Sequence, residues 1–189
     1  MKMKAVVIYK AGGPEQLKVE TREIPKLKEG WTLVKIKGFG INRSEIFTRE
    51  GHSPSVKFPR ILGIECVGEI EETTSSNLKK GQKIVSIMGE MGRAFDGSYA
   101  EYVLLPDEQV YPVNTSLSLE KLATVPETYL TTFYSGNVSG EKINSMLDYI
   151  EKYKIDVKAE KIFSLDEIVV AHKYLDSSLG FGKVIVINK

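Results

Sequence analysis

Between Gly40 and Glu72 the sequence GINRSEIFTREGHSPSVKFPRILGIECVGEIEE confines a short helix, a proline-set loop and a strand to one stretch. Ser44 is placed to cap a helix running through Arg49, with Glu45 in the first turn where the macrodipole favours an acid and Gly51 at the end. That helix spans about two turns. Pro54 and Pro59 keep the following chain extended, and Gly63 gives a tight entry into a strand over Ile64 to Glu71, inside which Gly68 allows a close backbone approach.

The flanking chain reads as strands. Ala5 to Tyr9 and Leu17 to Glu23 are β-rich runs separated by AGGPEQ, a turn sequence, and so form a hairpin-like opening. Trp31 to Phe39 alternates, with Lys35 and Lys37 on one side and Val34 and Ile36 on the other, and leads directly to Asn42. Lys83 to Met88 and Ser98 to Leu105 alternate again, and Gln109 to Val113 is a short strand limited by Pro112. Many short strands with turn signals between them predict a mainly β domain of the barrel or sandwich kind, with few helices.

Several function classes are excluded by charge and composition. Lys and Arg number 26 against 25 Asp and Glu, so there is no net field to gather nucleic acid or anionic lipid. No apolar run is long enough to span a membrane, and the start MKMKAVVIYKAGG is too short in apolar residues for a signal peptide and reads as a first strand. The single cysteine, Cys66, excludes an intramolecular disulfide and is expected to be a small buried filler, which fits a cytoplasmic protein.

Beyond Val113 the pattern changes. Ser118 caps a one-turn helix, and Pro126 suits the first turn of another over Glu127 to Tyr134. SGNVSG, from Ser135 to Gly140, is linker-like, and Ile143, Leu147, Ile150 and Tyr153 then recur on one helical face. Glu160 to Phe163 reads as a strand, SLDE from Ser164 as a capping box for a helix through Leu175, and Lys183 to Ile187 as a last strand. His172 falls on the apolar face of that helix and is expected to be hydrogen-bonded and partly buried rather than a ligand or base. A dinucleotide site needs a strand, a Gly-x-Gly-x-x-Gly turn and a helix in repeated βαβ units. The nearest match, Gly180-Phe181-Gly182, lacks the third glycine and precedes a strand.

The central stretch resembles the substrate-side motif of the medium-chain dehydrogenase/reductase superfamily, and most of all its zinc-free, zeta-crystallin-like quinone oxidoreductases. The pattern Asn-x-x-Asp-x-x-x-Arg-x-Gly is followed at Asn42, Arg49 and Gly51, with Glu45 replacing Asp, and Pro59 to Gly63 supplies the Pro-x-x-x-Gly approach to the strand. Where zinc-dependent members carry a cysteine and a histidine as metal ligands, this chain has Asn42 and Ile64, so the resemblance implies no metal. Tyrosines common in the branch are matched by Phe47 and Ser53. The segments DGSYAEYVLLPDEQVYPVNTSLSLEKLATVPETYLTTFYSG and FSLDEIVVAHKYLDSSLGFGKVIVINK resemble the two flanks that close the superfamily's GroES-like catalytic domain.

The resemblance therefore implies a GroES-like, partly open β-barrel with a few short helices (α+β, mainly β), from which the nucleotide-binding domain is missing. Residues 1–134 are expected to form the GroES-like domain, 135–153 a seam linker and helix, and 154–189 a strand, helix and strand that complete it. For the parent enzyme it implies hydride transfer from NADPH to a small quinone or α,β-unsaturated carbonyl. Asn42 would donate to the oxygen that gains charge, Asn42, Phe47 and Arg49 would line the substrate site, and Thr131 and Lys183 would lie near the cofactor. Taken without the family pattern, Asn42 reads as a loop residue bonding its own backbone and Arg49 as a helix-end cation. With one wall of the cleft absent, the chain alone is expected to be inactive and to bind no cofactor tightly. The competing reading is a stand-alone GroES-like binding or scaffold module without chemistry.

Overall fold

The computed structural model describes residues 1–133, 138–177 and 182–188, with the backbone alone at 130–133. In chain order its elements are β1 (Lys2–Ile8), β2 (Leu17–Glu23), β3 (Trp31–Ile41), α1 (Arg43–Arg49), β4 (Arg60–Ile61), β5 (Glu65–Thr73), β6 (Lys83–Ile87), β7 (Tyr102–Pro106) and β8 (Tyr111–Pro112). There follow α2 (Leu119–Ala123), α3 (Pro126–Phe133), α4 (Gly140–Lys152), β9 (Lys161–Phe163), α5 (Ile168–Asp176) and β10 (Val184–Ile187). The protein is thus mainly β with a few short helices, and its strands form two open sheets that do not close into a barrel. No helix among the described residues is long and apolar enough to cross a membrane.

The small sheet has the order β2-β1-β4, with β1 and β2 an antiparallel hairpin in register from Lys2 opposite Glu23 to Ile8 opposite Leu17. The large sheet is built on β3, whose 11 residues take three antiparallel partners. β5 pairs along Thr32 to Gly38, β7 along Trp31 to Lys35 and β10 along Gly38 to Ile41. A strand has two edges, so β7 and β10 divide one edge of β3 end to end. This is how the last strand of the chain comes to lie beside Asn42.

The large sheet is buried on both faces, and the alternation of its side chains shows it. On β10, Val184 and Val186 join the core shared with the small sheet and α5, while Ile185 joins a second core with Leu122, Ile143, Leu147 and Ile150 of α2 and α4. On β5, Cys66 and Val67 divide in the same way. A strand covered on both sides reads as a continuous apolar run, as in Val184-Ile185-Val186-Ile187. Gly68 is required where β5 crosses β3, since a Cβ there would stand 2.4 Å from the Lys35 carbonyl oxygen.

Some boundaries differ from the sequence expectation. α1 begins at Arg43 with Asn42 as N-cap, so the cap lies two residues before Ser44. Asn42 and Glu45 form a complete capping box, which satisfies two orphan donors and outcompetes a single hydroxyl cap. The strand expected from Ser98 starts at Tyr102, because Ala100 makes only a single bridge, to Ala5 of the small sheet. Tyr153 lies past the end of α4, is 56% exposed and packs on Tyr149 with ring centroids 4.4 Å apart, outside the apolar face it was expected to share. Ser164 does form the expected capping box, through a 3-10 turn that leads into α5.

Candidate functional site

The end of β3, the start of α1 and the start of β5 bring polar side chains into an otherwise apolar junction. Asn42 holds an extended backbone (φ −120°, ψ 161°) and is 7% exposed. Its backbone N–H donates to Glu45 Oε2 at 3.1 Å, and its Nδ2 donates to Glu65 Oε1 at 3.0 Å and to Glu45 Oε1 at 3.4 Å. Glu45 also accepts from the Ile64 backbone at 3.3 Å and from Ser44 Oγ at 3.0 Å. Both carboxylates are almost completely buried.

A cation reaches this junction from the residue just before β10. The Lys183 ammonium lies 2.7 Å from Glu65 Oε1 and 3.2 Å from Glu127 Oε2, and it donates to Asn42 Oδ1. These contacts use the three hydrogens of the ammonium. The second oxygen of Glu65 accepts the backbone N–H of Glu127 at 2.8 Å, in the first turn of α3. Gly40 makes room for the pair, because a Cβ at that position would come within 2.3 Å of both Glu65 Oε1 and Lys183 Cε.

The cluster contains Glu45, Glu65 and Glu127 against one ammonium. Burial, and then the neighbouring Glu65 charge, push the Glu45 carboxyl up to about 7, so near neutrality it holds a proton for part of the time. Burial pulls Lys183 down, but Glu65 and Glu127 outweigh it and leave the ammonium raised above its usual range. Cys66, next in β5, is buried and its thiol is pushed up by burial and by Glu65, so it stays protonated and unreactive. Among the described residues no group of three His, Cys, Asp or Glu side chains is arranged to hold a metal ion. Ile64, 5% exposed, enters the site only through its backbone N–H.

The structure brings Asn42 and Lys183 together and sets the other sequence candidates apart. Arg49 is only 1% exposed at its side chain; its Nη2 donates to both oxygens of Asp176 at 2.9 Å and its Nη1 to the Gly12 carbonyl at 3.0 Å. It ties α1 to the end of α5 and to the β1–β2 turn. Phe47 is 54% exposed, beside His52, and with Leu175 lines a shallow groove of about 320 Å³. Thr131 falls within α3, and its side chain lies outside the described residues, as do those of Leu130, Phe133 and Tyr134 at the expected seam. Of the Gly180-Phe181-Gly182 run, only Gly182 is among the described residues. His172 is hydrogen-bonded as expected, with Nε2 3.0 Å from the Tyr99 hydroxyl, but it is fully rather than partly buried; burial, and then Arg49, lower it to about 3.

Sequence reading missed Glu65 and Glu127 as partners in the site. A signal for Glu65 was present, since it is a lone charge inside the apolar run Ile61-Leu62-Gly63-Ile64-Glu65-Cys66-Val67, and a buried charge requires a partner.

A family model for the alcohol dehydrogenase GroES-like domain matches residues 28–115. Among curated proteins the chain is similar to the quinone oxidoreductase of Sus scrofa, 29% identical over 133 residues that make up 68% of this chain and 39% of the relative. It is also similar to the quinone oxidoreductase of Homo sapiens, 30% identical over 135 residues, 69% of this chain and 40% of the relative. The chain thus spans about 40% of the length of the curated relatives it matches. Among solved structures, an NAD-dependent alcohol dehydrogenase superposes with a TM-score of 0.85 at 16% identity, covering 99% of this chain and 100% of the other. The quinone oxidoreductase from Coxiella burnetii gives a TM-score of 0.77 at 15% identity, covering 100% of both. A mycobacterial protein complexed with NADPH gives 0.79 at 14% identity, covering 98% of this chain and 100% of the other. At these identities the structural likeness concerns the fold.

Proposed function

Since the chain belongs to the medium-chain dehydrogenase/reductase superfamily through its GroES-like domain, we propose that it is the substrate side of an NADPH-dependent, zinc-independent oxidoreductase that reduces quinones or α,β-unsaturated carbonyls. Residues 1–134 and 154–189 are read as the GroES-like domain, and 135–153 as the seam left by a nucleotide-binding domain. The reading includes a cytoplasmic location.

The observation that carries this proposal is the Lys183 ammonium held against Asn42 and Glu65 where β3, α1 and β5 meet. A carbonyl that accepts hydride gains negative charge on oxygen, and a fixed cation in a site poor in water stabilises that charge. Both amide hydrogens of Asn42 are directed at Glu65 and Glu45, so Asn42 acts chiefly by fixing Lys183 through Oδ1. Of the ammonium's partners, the Glu127 side chain is 31% exposed and is the more distant of the two carboxylates, at 3.2 Å against 2.7 Å for Glu65. It is the contact a ligand oxygen would replace. Lys183 therefore fits the polar end of a carbonyl substrate or of the nicotinamide carboxamide, and Thr131 of α3 is assigned to the same cofactor side. Phe47 offers an exposed apolar face on α1, the helix that Asn42 caps, and Arg49 anchors the end of that helix to Asp176.

When bound in the whole enzyme, NADPH supplies the hydride. In this chain few contacts could hold it, and they must offset several kcal/mol of lost translational and rotational freedom, which leaves an affinity weaker than about 1 mM. The chain alone is expected to show no quinone or enone reductase activity. Titration of labelled protein with 2-cyclohexenone, followed by amide NMR, tests the substrate side. Shifts at Asn42, Ile64 and Glu127 support the assignment, and a response confined to other regions refutes it. A parallel reductase assay and calorimetry with NADPH test the cofactor half, where turnover or micromolar binding would overturn the claim of an incomplete cleft. Self-association without any ligand response would favour a scaffold module instead.

A further inference from the structure

A groove of about 570 Å³ lies where the small sheet meets β7, away from the Asn42 junction. Its floor is apolar, with Val7 and Ile61 buried beneath it. One wall is the Trp31–Phe95 pair, whose rings meet edge to face with centroids 5.2 Å apart. The volume and the apolar lining match those of small-molecule sites, which add only a few polar groups to fix orientation.

Those polar groups carry a bias. The groove is lined by Arg22, Lys28 and Arg60 against Glu23 and Asp96, three positive charges to two negative. Arg60 is half-used: Nη1 donates to Asp96 Oδ1 at 3.1 Å, while Nε is buried without a hydrogen-bond partner. An arginine fork matches a carboxylate through two parallel N–H donors, and Asp96 engages only Nη1 of this one. Lys28 Nζ sits 3.5 Å from the Trp31 ring centroid, so one face of the indole is already covered by a cation that a ligand carboxylate can also meet.

We propose that this groove is a binding site for a small aromatic carboxylate, its ring against Trp31 and Phe95 and its carboxylate on the Arg60 guanidinium beside Asp96. The site is independent of the reductase reading, since none of its residues belongs to the Asn42 cluster.

Trp31 is the only tryptophan of the chain, so its emission reports on the groove directly. The probe is 4-iodobenzoate, whose heavy atom quenches indole emission on contact, with 4-iodobenzyl alcohol as the uncharged counterpart. The proposal predicts saturable quenching by the acid with a midpoint at least tenfold lower than for the alcohol, and at least tenfold loss in Arg60→Gln. Asp96→Asn, which releases Arg60 from its ion pair, should tighten binding several-fold, and it keeps the test decisive if Arg60→Gln proves poorly folded. Linear quenching that is the same for acid and alcohol, or acid binding that neither substitution alters, overturns the site.

Discussion

Lys183 and Glu65 meet at 2.7 Å with 9% and 0% of their side chains exposed, joining the last strand of the chain to the strand that follows the central loop. Their ion pair is both the electrostatic centre of the candidate site and a strut between β10 and β5.

Breaking a buried pair from one side leaves an uncompensated charge, which costs roughly 3 to 5 kcal/mol. Lys183→Met and Glu65→Leu should therefore each destabilise the chain by about that much, while the double variant should recover most of the loss. Urea unfolding of the four proteins measures the coupling. A coupling near zero would show that the two charges do not depend on each other.

Glu45 sets one limb of the pH dependence. Its folded-state value of about 7 stands above the ordinary value of 4.5, so between these pH values the folded chain keeps a proton that the unfolded chain releases. The contribution to stability is fully present below the lower value and is lost as pH rises through the upper one, to a total of roughly 3 kcal/mol at 1.36 kcal/mol per pH unit. Glu45→Gln, which imitates the protonated acid and can retain the capping box, should abolish this fall.

His172 works in the opposite sense. Its folded-state value of about 3 lies below the ordinary value of 6.5, so the stability it contributes is present above the higher value and lost as pH falls toward the lower. Where the two windows overlap, between 4.5 and 6.5, the folded chain's extra proton on Glu45 offsets the unfolded chain's extra proton on His172, and the native protein should be nearly insensitive to pH. Glu45→Gln should then uncover a stability that rises with pH, and His172→Gln one that falls. Unfolding midpoints at half-unit pH steps measure both slopes, and unchanged slopes in the variants would remove these groups from the account.

Gly40→Ala should disturb the site without removing any functional group. The added Cβ would overlap Glu65 Oε1 and Lys183 Cε, and such overpacking costs roughly 1 to 3 kcal/mol. The expected readout is lower stability together with shifted NMR signals of the Lys183 and Asn42 side chains. An unshifted Lys183 resonance would mean that Gly40 is not what clears space for the pair.

Much of this was legible in the residues. A β-rich run bounded by a turn placed β2, alternation placed β3 and β6, the Pro59 to Gly63 spacing placed the entry to β5, and the Asn42-to-Gly51 pattern with its C-terminal counterpart pointed to the family, because period and turn chemistry are local properties. The apolar face of α5 located His172, and its buried bond to Tyr99 agrees with that reading. What escaped was held by long-range contact. Asn42 and Lys183 stand 141 positions apart, Glu65 and Glu127 62, and Arg49 and Asp176 127, and no spacing rule pairs residues at such distances.

The sequence by itself determined a mainly β chain with its strands in order and a short helix ending before Gly51, because each follows from side-chain period and backbone preference over a few residues. Only the tertiary structure decided which charges meet: β10 shares an edge of β3 with β7, and that end-to-end pairing carries Lys183 to Glu65 and turns scattered polar residues into one electrostatic unit.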